Sequence, residues 1–392
     1  MSKKESVDNL PPLFEKIRPD WEIKFSDVNN HVLSVMPGES DKSFYDPIIQ
    51  RDVKWEQDVY SSTGVVYKDK IYAIYRAYGE DKQWRLGLAW SDDGMRFHRG
   101  EKPVLYARPE DVFLESLREL KDAGVSYGDS HLIAGPDDTF YLFFNYFSHF
   151  KVKCQELAVA TSKDMISWTL HGRAFGGQTG KDRELIPENA PWRLPPPAII
   201  TRFQNNQLVA ARINGKYWMY LNCYSTKGPC CLYTAISDNL FDWEIVRDAQ
   251  GRLINPLPLR AGYFDSEYID TTAAVLRGDG ILLIYNGVNA APEHGGDPRR
   301  LPTAHYPGQA LFDRNDPAKL LKRSVSPFKG GDAELEKQPI VFWGTPLYES
   351  WSLVPFKERL LLYWNHGFGR RSIGLWTSPM PDNVRNPTAV EL

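Results

Sequence analysis

Three carboxylates stand at one matched place in a repeated unit. When five similar hairpins are aligned on Ile71, Phe140, Lys216, Ile281 and Leu360, the residues eleven positions earlier are Tyr60, Asp129, Asn205, Asp270 and Glu349. The three acids lie in otherwise core-like segments, "GDSHLI", "IDTTAAV" and "YESWSLV". Asp58 stands two residues before Tyr60, on the same face of a strand, and Glu267 three before Asp270. Two such acids, one protonated and one ionised, can cleave a glycosidic bond by general acid and base catalysis. Like charges held close together raise one pKa, so that a proton is kept at neutral pH. Calcium is the competing use of an acidic ring, but it takes about six to eight oxygen ligands. We therefore expect catalytic roles for Asp129, Asp270 and Glu349, no metal and no cofactor.

Such acids must be gathered by a strand framework. The chain holds 12 Trp, 20 Tyr and 19 Phe with 28 Pro and 29 Gly, which suits short strands between turns. The five hairpins are "YKDKIYAIYRA", "GPDDTFYLFFNY", "INGKYWMYLNCY", "RGDGILLIYNG" and "FKERLLLYWNHG". Three lead into a corner in which Ser91, Ser162 or Ser237 precedes Phe97, Trp168 or Trp243 by six residues. Five repeats of short strands predict an all-β fold, a five-bladed β-propeller, over residues 51–392. Residues 1–50 are expected to form an extension packing on it, with short helical segments at the N-terminus and between blades. The clearest predicted helix is "PEDVFLESLRELKDAG", with Val112, Leu114, Leu117 and Leu120 at helical spacing. In a propeller only the innermost strands converge on the axis, so a site shared by several blades belongs there.

Composition excludes other classes. With 392 residues and a net charge of −3 there is no basic excess to suit nucleic acid or an anionic membrane, and the apolar runs are too short to span a bilayer. No apolar segment follows the opening "MSKKESVDNLPPLFEK", so a cytoplasmic location is expected. Four cysteines without a CxxC pair read as free thiols. A homo-oligomer is left open.

The five units and their Ser-to-aromatic corners resemble the five-bladed propeller glycosidases of families 43, 32 and 130. Family 130, the mannoside phosphorylases and β-mannosidases, is the nearest. "YPGQALFDRNDPAKLLKRSVSPF", "INGKYWMYLN" and "LYESWSLV" are similar to segments of that family, and the resemblance runs over residues 55 to 380. It implies that Asp129 is the general acid, in the place of the Asp of a Glu-Asp-Pro-Arg motif whose other positions here are Gly128, Ser130 and His131. The base would be Asp270, Glu349 or Glu267, about 6.5–9.5 Å away in an inverting hydrolase. The phosphorylases' His-Arg-Pro motif is replaced here by "LNCYS". The leading expectation is therefore inverting hydrolysis of a small carbohydrate, a short oligosaccharide or glycoside such as a β-mannoside. Phosphorolysis to a sugar 1-phosphate is the alternative, and a non-catalytic sugar-binding propeller the third reading. Substrate contacts are expected from Asp58, Glu267, Arg76, His131, Arg212, Trp364 and His366. Of these, Arg76, His131 and Arg212 would hold phosphate, and Trp364 would stack on a pyranose.

Overall fold

Five four-stranded sheets surround a common axis, each ordered from the axis outward. The computed structural model describes residues 10–14, 18–35, 39–109, 111, 126–147, 156–175, 196–225, 228–330, 348–366 and 372–387. Blade one is Asp58–Tyr67, Lys70–Tyr78, Trp84–Ser91 and His98–Arg99. Blade two is Ser126–Ala134, Phe140–Phe147, Glu156–Ser162 and Thr169–Arg173. Blade three is Ala198–Gln204, Lys216–Ser225, Gly228–Ser237 and Glu244–Ile245. Blade four is Tyr268–Arg277, Gly280–Val288, His305–Phe312 and Leu320–Arg323. Blade five is Tyr348–Phe356, Arg359–His366 and Ser372–Pro379, and its outermost strand is Ser26–Ser34 from the start of the chain.

That fourth strand corrects the expected architecture. The N-terminal segment lends blade five an edge, antiparallel to the last strand with Ser26 opposite Thr377 and Ser34 opposite Ser372. Its described residues form strands and turns rather than helix. The predicted helix at 109–124 falls almost wholly outside the described residues. No helix among the described residues is long and apolar enough to cross a membrane.

The Ser-to-aromatic corners join the third strand to the fourth. Ser91, Ser162 and Ser237 each accept, through Oγ, the backbone N–H three residues on, at 2.9, 2.8 and 3.0 Å. Those donors, Gly94, Met165 and Leu240, all have positive φ, which the serine cap and the next acid or amide stabilise locally. The aromatics then close the seams between blades: Phe97 packs on Tyr363 and Trp243 on Phe143. Blade three departs from the common pattern. Two short strands, Gln207–Ala210 and Arg212–Ile213, are inserted between its first two long strands, the first folding back as a hairpin on Ala198–Gln204 and the second on Lys216–Ser225.

Candidate active site

Four of the five inner strands, all but that of blade three, meet their partner strands with a bulge near the mouth of the axis. Register slips between Tyr60 and Ser62, Tyr127 and Ser130, Thr271 and Ala273, and Ser350 and Ser352. A bulge opposes two residues to one and re-aims side chains. Here it falls beside Tyr60, Asp129, Asp270 and Glu349. The second strands answer with a polar residue at the same level, for Tyr60 pairs with Arg76, Asp270 with Asn286 and Glu349 with Asn365. Asn145 and Asn222 occupy the equivalent places of blades two and three. These residues reach forward to the next blade. Asn286 Oδ1 accepts from the Ser350 N–H at 2.8 Å, Asn365 Oδ1 from the Ser61 N–H at 3.0 Å, and Asn222 Nδ2 donates to Asp270 at 3.3 Å. In blade one the position is Arg76, and it reaches Asp129.

Glu349 is buried among donors. Its Oε2 accepts from Tyr60 Oη at 3.2 Å, Trp351 Nε1 at 3.0 Å and Asn365 Nδ2 at 3.2 Å. Burial nevertheless dominates, and with repulsion from Asp129 it outweighs those bonds, pushing the carboxyl up to about 7. Three donors saturate Oε2, so the retained proton belongs on Oε1. That oxygen faces His305 Nδ1 at 3.8 Å. On the ring's other side Nε2 lies 2.7 Å from the Tyr268 hydroxyl and 3.9 Å from Asp270 Oδ2. Donor atoms of Asp270, His305 and Glu349 all lie within 4.8 Å of one another. The two carboxylates address opposite ring nitrogens, however, whose lone pairs diverge. This suits proton traffic through the ring better than chelation of one ion.

Asp129 comes from the other side. Arg76 Nη1 donates to its Oδ1 at 2.5 Å, and Ser61 Oγ at 3.3 Å. The guanidinium is stacked between rings, 4.7 Å from the Tyr60 centroid and 4.1 Å from that of Trp84. The planar cation is thus fixed by the rings in position to pair with the carboxylate. The site thus combines an anionic carboxylate from blade two with a proton-bearing carboxyl from blade five. Asp270 and Glu349 are too close to be the opposed pair of an inverting hydrolase, which leaves room for a water.

The other expected residues divide. Asp58 lies half-buried at the rim, its Oδ1 accepting from the Val59 N–H at 2.9 Å. Glu267 stands exposed at the rim, its pKa raised by partial desolvation against a lowering pull from His294. His366 ends the second strand of blade five, opposite Tyr348. Three expectations are corrected. His131 points deeper along the axis, into a cavity also lined by Gly64, Ile199, Ala273 and Ser352, where burial lowers its pKa to about 4. It is therefore neutral and unsuited to holding phosphate. Arg212 lies at the far end of blade three, on the second inserted strand, where it donates to the Gly215 and Asp238 carbonyls. Trp364 is 2% exposed and stacks on Trp376 at 4.7 Å and 8°, so its ring fills the seam between strands rather than the pocket. Asn205, counted as the blade-three equivalent, sits in a turn at φ 51° because the two inserted strands break the count.

Tyr268 and Trp351 have no place among the residues expected from the sequence, where Tyr60 appears only as an aligned position, Asn365 as a sugar contact and His305 as a weaker loop candidate. His305 opens the third strand of blade four after a Pro/Gly-rich loop. Asn289 braces that loop from within, its Nδ2 reaching the Asp297, Arg300 and Leu301 carbonyls at 3.1, 3.3 and 3.3 Å. The recurring polar residue of the second strands was the signal available in the sequence.

At the axial mouth of the propeller the Arg76-paired Asp129 and the proton-bearing Glu349 form a pair of carboxyl groups of the kind that acts on a glycosidic bond. No protein-family model matches the chain. It is 31% identical to a Bacteroides ovatus ATCC 8483 protein assigned as a glycoside hydrolase, covering 93% of this chain and 99% of that one with a TM-score of 0.76. It is 27% identical, over 92% of this chain and 95% of the other, TM-score 0.77, to a structure reported for the GH130 family of mannoside phosphorylases. That report describes glycoside hydrolases within the family that target β-1,2 mannosidic linkages in Candida mannan. Among curated proteins it is similar to the 1,2-β-oligomannan phosphorylase of Thermoanaerobacter sp. (strain X514), 26% identical over 309 residues, 76% of this chain and 83% of that protein. The chain belongs to glycoside hydrolase family 130 and is a glycoside-processing enzyme.

Proposed function

We propose that the protein cleaves β-1,2-linked mannosides by phosphorolysis with inversion, Glu349 giving its proton to the departing oxygen. The observation that carries the acid role is the Glu349 carboxyl, held up to about 7 beside an Asp129 that is ion-paired with Arg76. A donor near the working pH supplies protons most effectively. The mannoside and the phosphate acceptor are supported by the likeness to the oligomannan phosphorylase. Asp129, opposite, steadies positive charge developing at the anomeric carbon and orients the acceptor.

Hydrolysis is the second reading, in which Asp129 serves as base toward a water. It is favoured by the likeness to family members that are hydrolases and by Arg76, which is already committed to Asp129. The test is incubation with β-1,2-mannobiose with and without inorganic phosphate. Mannose 1-phosphate formed only with phosphate supports the first reading. Mannose formed equally in phosphate-free buffer replaces it with the second, and no cleavage of mannosides in either buffer removes both.

A further inference from the structure

His305 lies within 4 Å of both Asp270 and Glu349, and the proposed chemistry leaves a proton unaccounted for. The acid loses one at each turnover. The acceptor, water or hydrogen phosphate, releases one. Glu349 is poorly placed to recover it from solvent, since its side chain is 7% exposed and its Oε2 is occupied by three donors. Asp270 is twice as open, at 14%.

We propose that His305 returns the proton to Glu349, taking it at Nε2 from Asp270 and releasing another from Nδ1 to Glu349 Oε1. This rests on the reading of Glu349 as the acid. An imidazole suits the task because it can bind a proton at one nitrogen while releasing one from the other. The groups facing the ring are Tyr268 and Asp270 from the inner strand of blade four and Glu349 from blade five. Tyr268 holds the ring at Nε2, at 2.7 Å. The gaps of 3.9 and 3.8 Å exceed hydrogen-bond length. One bridging water or a side-chain shift of about 1 Å closes each.

The step balances. The bond from the anomeric carbon to the bridging oxygen breaks as the acceptor oxygen bonds to that carbon, and the bridging oxygen takes the proton of Glu349 Oε1. The acceptor's proton goes to Asp270, then to Nε2 as the Tyr268 hydroxyl gives way, while the Nδ1 proton restores Glu349; the ring is left as the Nε2–H tautomer, and a ring flip resets it before the next turnover. No oxidant or reductant is involved; with water as the acceptor, its proton passes first to Asp129 and from there to Asp270.

Two measurements test it. In His305→Gln with β-1,2-mannobiose, the first turnover should stay within about 3-fold of the native rate, because the acid is already loaded, while later turnovers slow at least 10-fold. Added imidazole should restore much of that rate in His305→Ala. Equal slowing of first and later turnovers, with no rescue, assigns His305 a structural role and overturns the proposal. The second measurement uses the resting protein without substrate. The ¹⁵N resonances of His305, assigned by their loss in His305→Gln, should move at the same pH midpoint as the infrared carboxylic-acid band assigned by Glu349→Gln. Separate midpoints overturn the proposal, whichever mannoside chemistry the protein performs, and inactivity on mannosides with a shared midpoint counts against the proposed function alone.

Discussion

The Arg76 guanidinium grips the Asp129 carboxylate across the seam between blades one and two, with Nη1 2.5 Å from Oδ1. Their side chains are 11% and 15% exposed, so neither charge has water to replace the other. Removing one member of so buried a pair costs about 3–5 kcal/mol. Arg76→Met should therefore lower stability by an amount in that range and kcat/KM by about 10²-fold. The double variant Arg76→Met/Asp129→Asn should be more stable than Arg76→Met alone. Purely additive losses in a double-mutant cycle by denaturant unfolding would show that the two do not interact.

Asp129→Asn keeps the shape and removes the charge. Turnover of unactivated mannosides should fall about 10²-fold or more, with substrate binding retained by calorimetry. Near-normal turnover would remove Asp129 from the mechanism.

Glu349 links pH to both activity and stability. With a folded pKa of about 7 against an ordinary glutamate value of 4.5, the folded state holds a proton that the unfolded chain has lost between those two pH values. Stability therefore falls as pH rises through that window, by about 3 kcal/mol, and levels off above it. Glu349→Gln should flatten this slope in urea unfolding between about pH 4.5 and pH 7 while lowering kcat about 10²-fold or more. In the native protein kcat/KM should decline above pH 7 with a single ionisation. An activity plateau extending beyond pH 8 would exclude Glu349 as the acid.

Trp364 and Arg212 should behave as structural residues. Trp364→Ala should cost about 3–5 kcal/mol through the cavity left against Trp376 and Tyr348. Arg212→Ala should leave kcat/KM within about twofold. A loss of affinity for mannosides in Arg212→Ala without loss of stability would bring that residue back to the site.

Much of this arrangement could be read from the sequence, because the five second strands are apolar runs between tight turns and each begins at an aligned place. The matched register of Asp129, Asp270 and Glu349 followed from it. Blade three failed because counting cannot detect the two short strands inserted at 207–213, which shift the inner strand without changing its character. His305 stood only as a weaker candidate because it lies on a third strand, and only the pairing of that strand with Gly280–Val288 carries it to the axis. Trp364 misled because an aromatic residue near the axis can face either the pocket or the neighbouring strand, and alternation alone does not say which. The edge strand "SDVNNHVLS" is polar, as an outer strand can be, and so gave no strand signal.

That edge strand ties the fold to the order of protein synthesis. Ser26–Ser34 emerges from the ribosome about 340 residues ahead of its pairing partner, Ser372–Pro379. At roughly 5–20 residues per second, translation keeps the two apart for about 17–70 s. During that time four blades can form while the strand that fastens the ring waits without its ladder. The nascent chain therefore carries an unpaired β-edge while the intervening blades are made, and the polar character that hid the strand from sequence reading disfavours its joining a neighbouring chain first.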